Sequence, residues 1–599
     1  MSRTSPQTSP HRRSSSPSSR QRAPLVARSV ERRLWLCSLL LLAGVAAQAC
    51  TGEVSDTEED VSSARDEEVD EPKRDAGKKS DAGKKSDAGA ETAARGDGSA
   101  STSMSGTRDI GRDAGRTTSD AGGATDATLA PSVAGDCPNG SERALATGLR
   151  IREIALYQTV KVSVFKDGAW VAQRSVPVVQ GKKALARVFV ETGSGYARRP
   201  VRAALTLQNG ATKKVLSDER TIAASSTDAD PASTFTFTID AAELGAATEL
   251  SVALQEPACE APPSTAEGAR FPTSGTQALT ATAIGKLRVV VVPVNVGGRL
   301  PATGETDIAN LRAALLAYYP VPEVEVTVRE RPLMWNRALA GTDSNGWSSL
   351  LEQVMRERST DRPESDVYYF GLVQPAATMQ AYCGRGCIMG IAPQTVRVSS
   401  GQQVGLGASF ANAQTYETVI HEIGHAHGRG HAPCAQGGGI QGVDPQFPDK
   451  SGSIATYGWD SRSGKLIPPT NKDIMGYCQP NWISAYTYAA LATRALAVNR
   501  AAFIFNPGGE ATRWQHVLLH GDGSAQWGGS LDTELPGGEL EAAQALDASG
   551  NVVAEIEVSR VQLSHSDSIF LYLPEPRASW AAIKLSERVL ELATIAPAL

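Results

Sequence analysis

Beyond Ala49 the 599-residue chain has no apolar run long enough to cross a membrane, since a spanning helix needs about 20 consecutive apolar residues. That excludes a helical membrane protein for the rest of the chain. An excess of positive charge is also missing. The formal net charge is −6, which argues against nucleic acid or an anionic membrane surface as the main partner. From Thr51 to about Asp136, aromatic and large aliphatic side chains are nearly absent. What remains there is Asp, Glu, Ser, Gly, Ala and Lys, with a tandem repeat at Asp75–Ser80 and Asp81–Ser86. Such a chain cannot bury enough apolar surface to offset its ordering entropy. Residues 50–136 are therefore read as a disordered tether whose charge runs are solvated.

What precedes the tether reads as an export leader. Residues 1–33 are rich in Ser, Pro and Arg, and Leu34 to Ala49 form an uncharged apolar run. That length is short for a membrane span and suits the core of a signal peptide, placed at residues 1–49. Translation starting later, at Val26 or Val30, fits the long leader; no second methionine occurs before Met104. Arg32-Arg33 ahead of Leu-Trp-Leu faintly resembles a twin-arginine signal. The run ends A-A-Q-A-C, which resembles a bacterial lipoprotein box with Cys50 as the lipidated residue. Ala47 and Gln48 depart from the usual pattern, so simple cleavage after Ala49 stays open beside lipidation. Either route implies an exported protein, held at the bacterial cell envelope (outer membrane or cell surface) by a lipid anchor alone, or secreted.

Histidine is scarce, and its distribution is the most informative feature of the chain. Four of the eight histidines fall in H-E-I-G-H-A-H-G-R-G-H, His421 to His431. His421 and His425 are one helical turn apart on the same face, so two imidazole nitrogens converge on one metal ion, with Glu422 beside them as general base. Gly428 permits a left-handed turn that ends the helix and brings back His431 as a third ligand. Three protein ligands leave a fourth position for water, the arrangement of a catalytic zinc site. Tyr416, Val419 and Ile423 fall on the opposite, core-facing side, and Asn412 or Thr415 caps the N-terminus. His427 points to that back face and reads as a supporting or core histidine.

The full pattern H-E-x-x-H-x-x-G-x-x-H resembles that of the metzincin metallopeptidases, whose zinc helix is followed by a methionine-containing turn under the metal. The run D-I-M-G-Y-C, Asp473 to Cys478, resembles such a Met-turn with Met475 as its methionine. Tyr477 stands two residues later, where the resemblance implies a tyrosine that binds zinc or steadies the transition state. Ala432 matches none of the residues that label the familiar subfamilies, and the stretch from His431 to Met475 reads as an inserted surface loop. The run Cys478 to Tyr488 loosely resembles bacterial secreted metzincins, including the group with a mucin-cleaving enzyme of enteric bacteria. The function implied is a zinc-dependent metalloendopeptidase using one catalytic Zn2+ and acting on extracellular protein or glycoprotein.

The residues after the tether are too many for one core. Residues 137–284 alternate short strand-like runs with turns: Val160–Phe165, Ala184–Glu191, Val201–Gln208, Thr234–Ile239 and Leu250–Gln255. They are read as a β-sandwich. Residues 285–500 alternate strands and helices, an α/β (α+β) pattern that houses the zinc motif. In that stretch Val404–Phe410 is expected to be the edge strand that binds extended peptide by strand addition. Residues 501–599 read as a second β-sandwich containing His516, His520 and His565; His516 and His520 are four apart, but the V-L-L between them in strand-like surroundings disfavours a second metal site. The expected whole is a multidomain chain with a metzincin-like catalytic domain flanked by two sandwiches.

Six cysteines follow Cys50, an even number in an exported chain, so disulfides are expected. Of fifteen connectivities, the expected one is Cys137–Cys259, Cys383–Cys387 and Cys434–Cys478. A second metal site at Cys383 and Cys387, and Cys137 as a latent-form zinc ligand, are weaker alternatives without a supporting motif. Two other functions compete with the peptidase: a surface adhesive lipoprotein with an inactive metzincin-like domain, and a hydrolase of non-peptide amides. The intact His421, Glu422, His425 and His431 weigh against the first, and the expected peptide-binding edge strand against the second.

Overall fold

The computed structural model describes Cys137 and residues 142–259, 266–384, 386–399, 401–434, 441–503, 512–586 and 588–597. The signal peptide, Cys50 and the tether expected from the sequence lie outside the described residues.

The alternating segment after residue 142 folds into antiparallel strands because alternate side chains are apolar and share one face. In one sheet, Leu149–Gln158 lies between Val160–Lys166 and Ala184–Thr192, and Phe235–Ile239 continues beyond the latter. In another, Arg199–Asn209 lies between Thr212–Ile222 and Thr248–Gln255. Val188, Phe235, Leu205 and Val252 are fully buried in one apolar cluster. Leu149–Gln158 and Thr212–Ile222 are strands that the sequence reading did not single out. The second of these has five charged residues among eleven, exposes much of its length and carries little apolar pattern to read.

The α/β segment forms a sheet centred on Leu287–Val296, an almost continuous apolar run covered on both faces. Val324–Val328 and Val367–Val373 flank it in parallel, and Val404–Ala408 follows, also parallel. Helices Glu305–Tyr318 and Ala413–Ala426 cover one face through Leu311, Leu315, Val419 and Ile423, which cluster with Val289, Val291 and Phe370. Helix Ser344–Asp361 covers the other through Trp347, Leu350 and Val354, against Val292, Val294 and Leu406.

The expected edge strand is corrected here. Val404–Ala408 is not the edge, because the short strand Gly390–Ile391 pairs with it antiparallel and takes that position. With two residues of regular pairing, Gly390–Ile391 offers almost no periodicity for a sequence reading to detect.

The seven strands described after residue 511 belong to one hydrogen-bonded sheet, whose eighth strand is Pro393–Gln394. This sheet does not stand apart. Pro393 pairs with Leu563 and Gln394 with Gln562, so the chain leaving the edge strand joins the C-terminal sheet at once. Trp514, Leu518, Phe570 and Tyr572 share the apolar cluster of Trp347 and Leu350. At the opposite end, the loop after His431 sends out a hairpin, Gly458–Asp460 and Lys465–Ile467, that extends the first sheet through Gly458 and Val160. Disulfides join Cys137–Cys259, Cys383–Cys387 and Cys434–Cys478, the expected connectivity.

Candidate metal centre

Helix Ala413–Ala426 begins at Asn412, whose side chain accepts from Thr415 N at 3.1 Å, a cap worth about 1 kcal/mol. It ends at His427, and Gly428 takes φ +82°, the left-handed region that turns the chain toward His431. A side chain at 428 would meet Thr395 O at 2.6 Å, so glycine is required there both for its backbone angle and for space. His427 stacks on Tyr368 with ring centroids 4.7 Å apart, and its Nδ1 donates to Ile423 O. It is a core histidine.

His421, His425 and His431 come together at the head of the cleft. Each Nδ1 faces a backbone carbonyl: Ile474 O at 2.7 Å, Arg429 O at 2.6 Å and Gln441 O at 2.5 Å. A carbonyl only accepts, so each Nδ1 carries the proton and each Nε2 is a bare lone pair. His425 Nε2 lies 3.0 Å from the Nε2 of both His421 and His431. Lone pairs so aligned repel one another unless a cation lies between them, and second nitrogens fixed on carbonyls are the usual support of metal-binding imidazoles. The residues therefore fit a zinc ion, whose bonds to imidazole are about 2.0–2.1 Å. Burial pushes His421 and His431 down to about 3 and His425 well below its ordinary value, keeping all three neutral for a metal.

Asp473 shapes the turn beneath these rings. Its fully buried carboxylate accepts from Met475 N, Ser484 N and Thr487 Oγ1, each at 2.8 Å. The turn brings Ile474 O to His421 and places Met475, 1% exposed, under the helix. The disulfide Cys434–Cys478 and the bond from Tyr477 N to Cys434 O tie the same turn to the chain after His431. Tyr477 Oη lies 3.2 Å from His431 Nε2.

Glu422 is buried beside the triad, and burial pushes its carboxyl up to about 7, with His421 and the hydrogen bond from Ser564 pulling it down. A Cβ at Gly390 would stand 2.6 Å from Glu422 Oε1, so the glycine of the edge strand leaves the carboxylate its space. Ser564 Oγ donates to Glu422 Oε2 at 2.9 Å, and His565 Nε2 lies 3.1 Å from Oε1. His565 Nδ1 meets Tyr477 Oη at 2.8 Å. A cleft of about 500 Å³ opens in front, lined by Ile388, Met389, Gly390, His421, Tyr477 and His565 among others.

Ser564 and His565 are the residues that sequence reasoning missed. They lie more than 130 positions beyond His431 in a β-strand region, and no local motif marks them. His516, grouped with His565 by sequence, lies elsewhere, buried 3.8 Å from Glu352 and stacked on Tyr572.

Residues 395–485 match the family model of Peptidase M66. The matched stretch contains His421, Glu422, His425, His431, Met475 and Tyr477, and ends well before Ser564. This match supports a metallopeptidase. No curated protein matches the chain. Among solved structures, metalloproteinase-II from Bacteroides fragilis is similar at 13% identity, covering 44% of this chain and 77% of that one, with a TM-score of 0.20.

Proposed function

We propose that the protein is a zinc-dependent metalloendopeptidase of metzincin type that cleaves extracellular proteins or glycoproteins. The observation that carries this reading is the convergence of three unprotonated imidazole Nε2 atoms beside a buried carboxylate, at the head of an open cleft. His421, His425 and His431 would hold the metal. Zinc at such a site supplies Lewis acidity and brings the pKa of a water to about 7. Glu422 takes the proton of the attacking water and returns it to the leaving amine nitrogen. Tyr477 Oη, next to His431, donates to the oxyanion as it forms. An extended peptide lies along Ile388 to Gly390, the border of the cleft contributed by the edge strand.

The three disulfides suit an oxidising compartment, in line with export through the N-terminal leader and attachment through Cys50. The test is Glu422→Gln in the full chain with a mixed protein library as substrate. The variant should retain one equivalent of zinc and lose about 10²–10⁴-fold in turnover. Cleavage at the wild-type rate would overturn the assignment of Glu422. Absence of chelator-sensitive cleavage by the wild type would overturn the peptidase.

A further inference from the structure

A fourth imidazole stands at this centre, and it comes from the other end of the chain. One nitrogen from each of His421, His425, His431 and His565 falls within 4.8 Å of the other three. The Nδ1 of His565 is held by an oxygen, Tyr477 Oη at 2.8 Å, while its Nε2 is buried among these groups without a hydrogen bond, 3.1 Å from Glu422 Oε1. Its two nitrogens thus face a hydroxyl and a carboxylate, and it is the cluster with His421, His425 and His431 that brings it within reach of a metal.

The backbone enforces this placement. His565 has φ +55°, a region that a residue with a Cβ rarely adopts and that the surroundings must impose. Ser564 on one side is clamped to the edge strand: its N donates to Ala392 O and its Oγ accepts from Ala392 N, both at 2.9 Å. Ser566 on the other side contacts Ser344 Oγ at 2.8 Å and Ser348 Oγ at 3.2 Å on helix Ser344–Asp361. The C-terminal sheet shares a core with that helix, so the turn cannot depart with a swinging domain.

We propose that His565 is a fourth, displaceable nitrogen ligand that fills the open position of the zinc site in the resting enzyme. The inference rests on the metal-site reading above. In the resting state the turn occupies the machinery twice, with His565 at the metal and Ser564 on Glu422. Substrate entering the cleft exchanges for the His565 nitrogen, a ligand exchange in which no covalent bond of protein or substrate changes. His565 then stays within reach of Tyr477, so the step needs a side-chain shift and no domain opening.

The experiment counts ligands in the full chain and does not depend on turnover. X-ray absorption at the zinc edge of the wild type should show four imidazoles, and three would overturn the proposal without recourse to any variant. His565→Ala should still bind one metal, release it to a chelator at least about tenfold faster, and change the visible spectrum of the cobalt-loaded protein. An unchanged release rate and spectrum in a variant that melts like wild type would also overturn it. Failure of the peptidase reading would appear instead as absent cleavage with the imidazole count at four.

Discussion

Gly424 and Met475 touch across the base of the metal centre: a Cβ at position 424 would stand 2.6 Å from Met475 Sδ. The helix can sit this low on the turn because residue 424 has no side chain. Gly424→Ala should therefore cost about 1–3 kcal/mol through overpacking, although alanine is the better helix former. Urea unfolding checks the size. Met475→Ala in the same chain should recover part of the loss, and simple additivity of the two changes would contradict direct contact.

The disulfide Cys434–Cys478 links the chain after His431 to the turn that carries Met475 and Tyr477. Replacing both cysteines with serine should lower stability by about 2–4 kcal/mol. Zinc affinity should fall as well, because the loop that carries His431 loses its tie. Calorimetric titration with zinc is the measurement, and an affinity equal to wild type would show that the bridge serves stability alone.

Asp473 holds three donors with one buried carboxylate. Asp473→Ala strands them, at about 1–3 kcal/mol for each that finds no water. Asp473→Asn keeps the acceptor oxygen and should retain more stability and more metal. Equal losses in the two variants, read by thermal melting, would mean that these hydrogen bonds do not shape the turn.

The pH dependence of cleavage follows from Glu422, which acts only as carboxylate. Burial pushes it from 4.5 up to about 7, and a bound divalent cation pulls it down again. As pH falls through that interval the base is protonated, so kcat/KM should drop with an acid limb between those two values. A rate that stays flat down to pH 4 would remove Glu422 as the base.

How much of this was legible from sequence depended on range. His421, Glu422, His425 and Gly428 lie on one helix and its turn, so spacing alone predicted which side chains meet. Met475 and Tyr477 were readable only through the resemblance of the D-I-M-G-Y-C run to a Met-turn. The edge strand was misplaced because Gly390–Ile391 is too short to show a period, whereas Val404–Ala408 is apolar and conspicuous. His565 was invisible for a different reason. It enters the site through the pairing of Pro393–Gln394 with Gln562–Leu563, a contact between segments far apart in sequence that no local pattern encodes.

Thr159 shows what the shared sheets mean for the protein as a unit of inheritance. Its carbonyl accepts from Trp459 N and from Trp482 Nε1, both at 2.9 Å, and its hydroxyl donates to Ala317 O at 2.7 Å. One residue of the first sheet thus fastens the post-histidine loop, the segment after the Met-turn and the end of helix Glu305–Tyr318. With the C-terminal sheet fastened at Ala392, a gene fragment encoding only residues 285–500 would strip the cleft of supports on both flanks. The centre, as this structure holds it, is built from three segments of the chain and not from residues 285–500 alone.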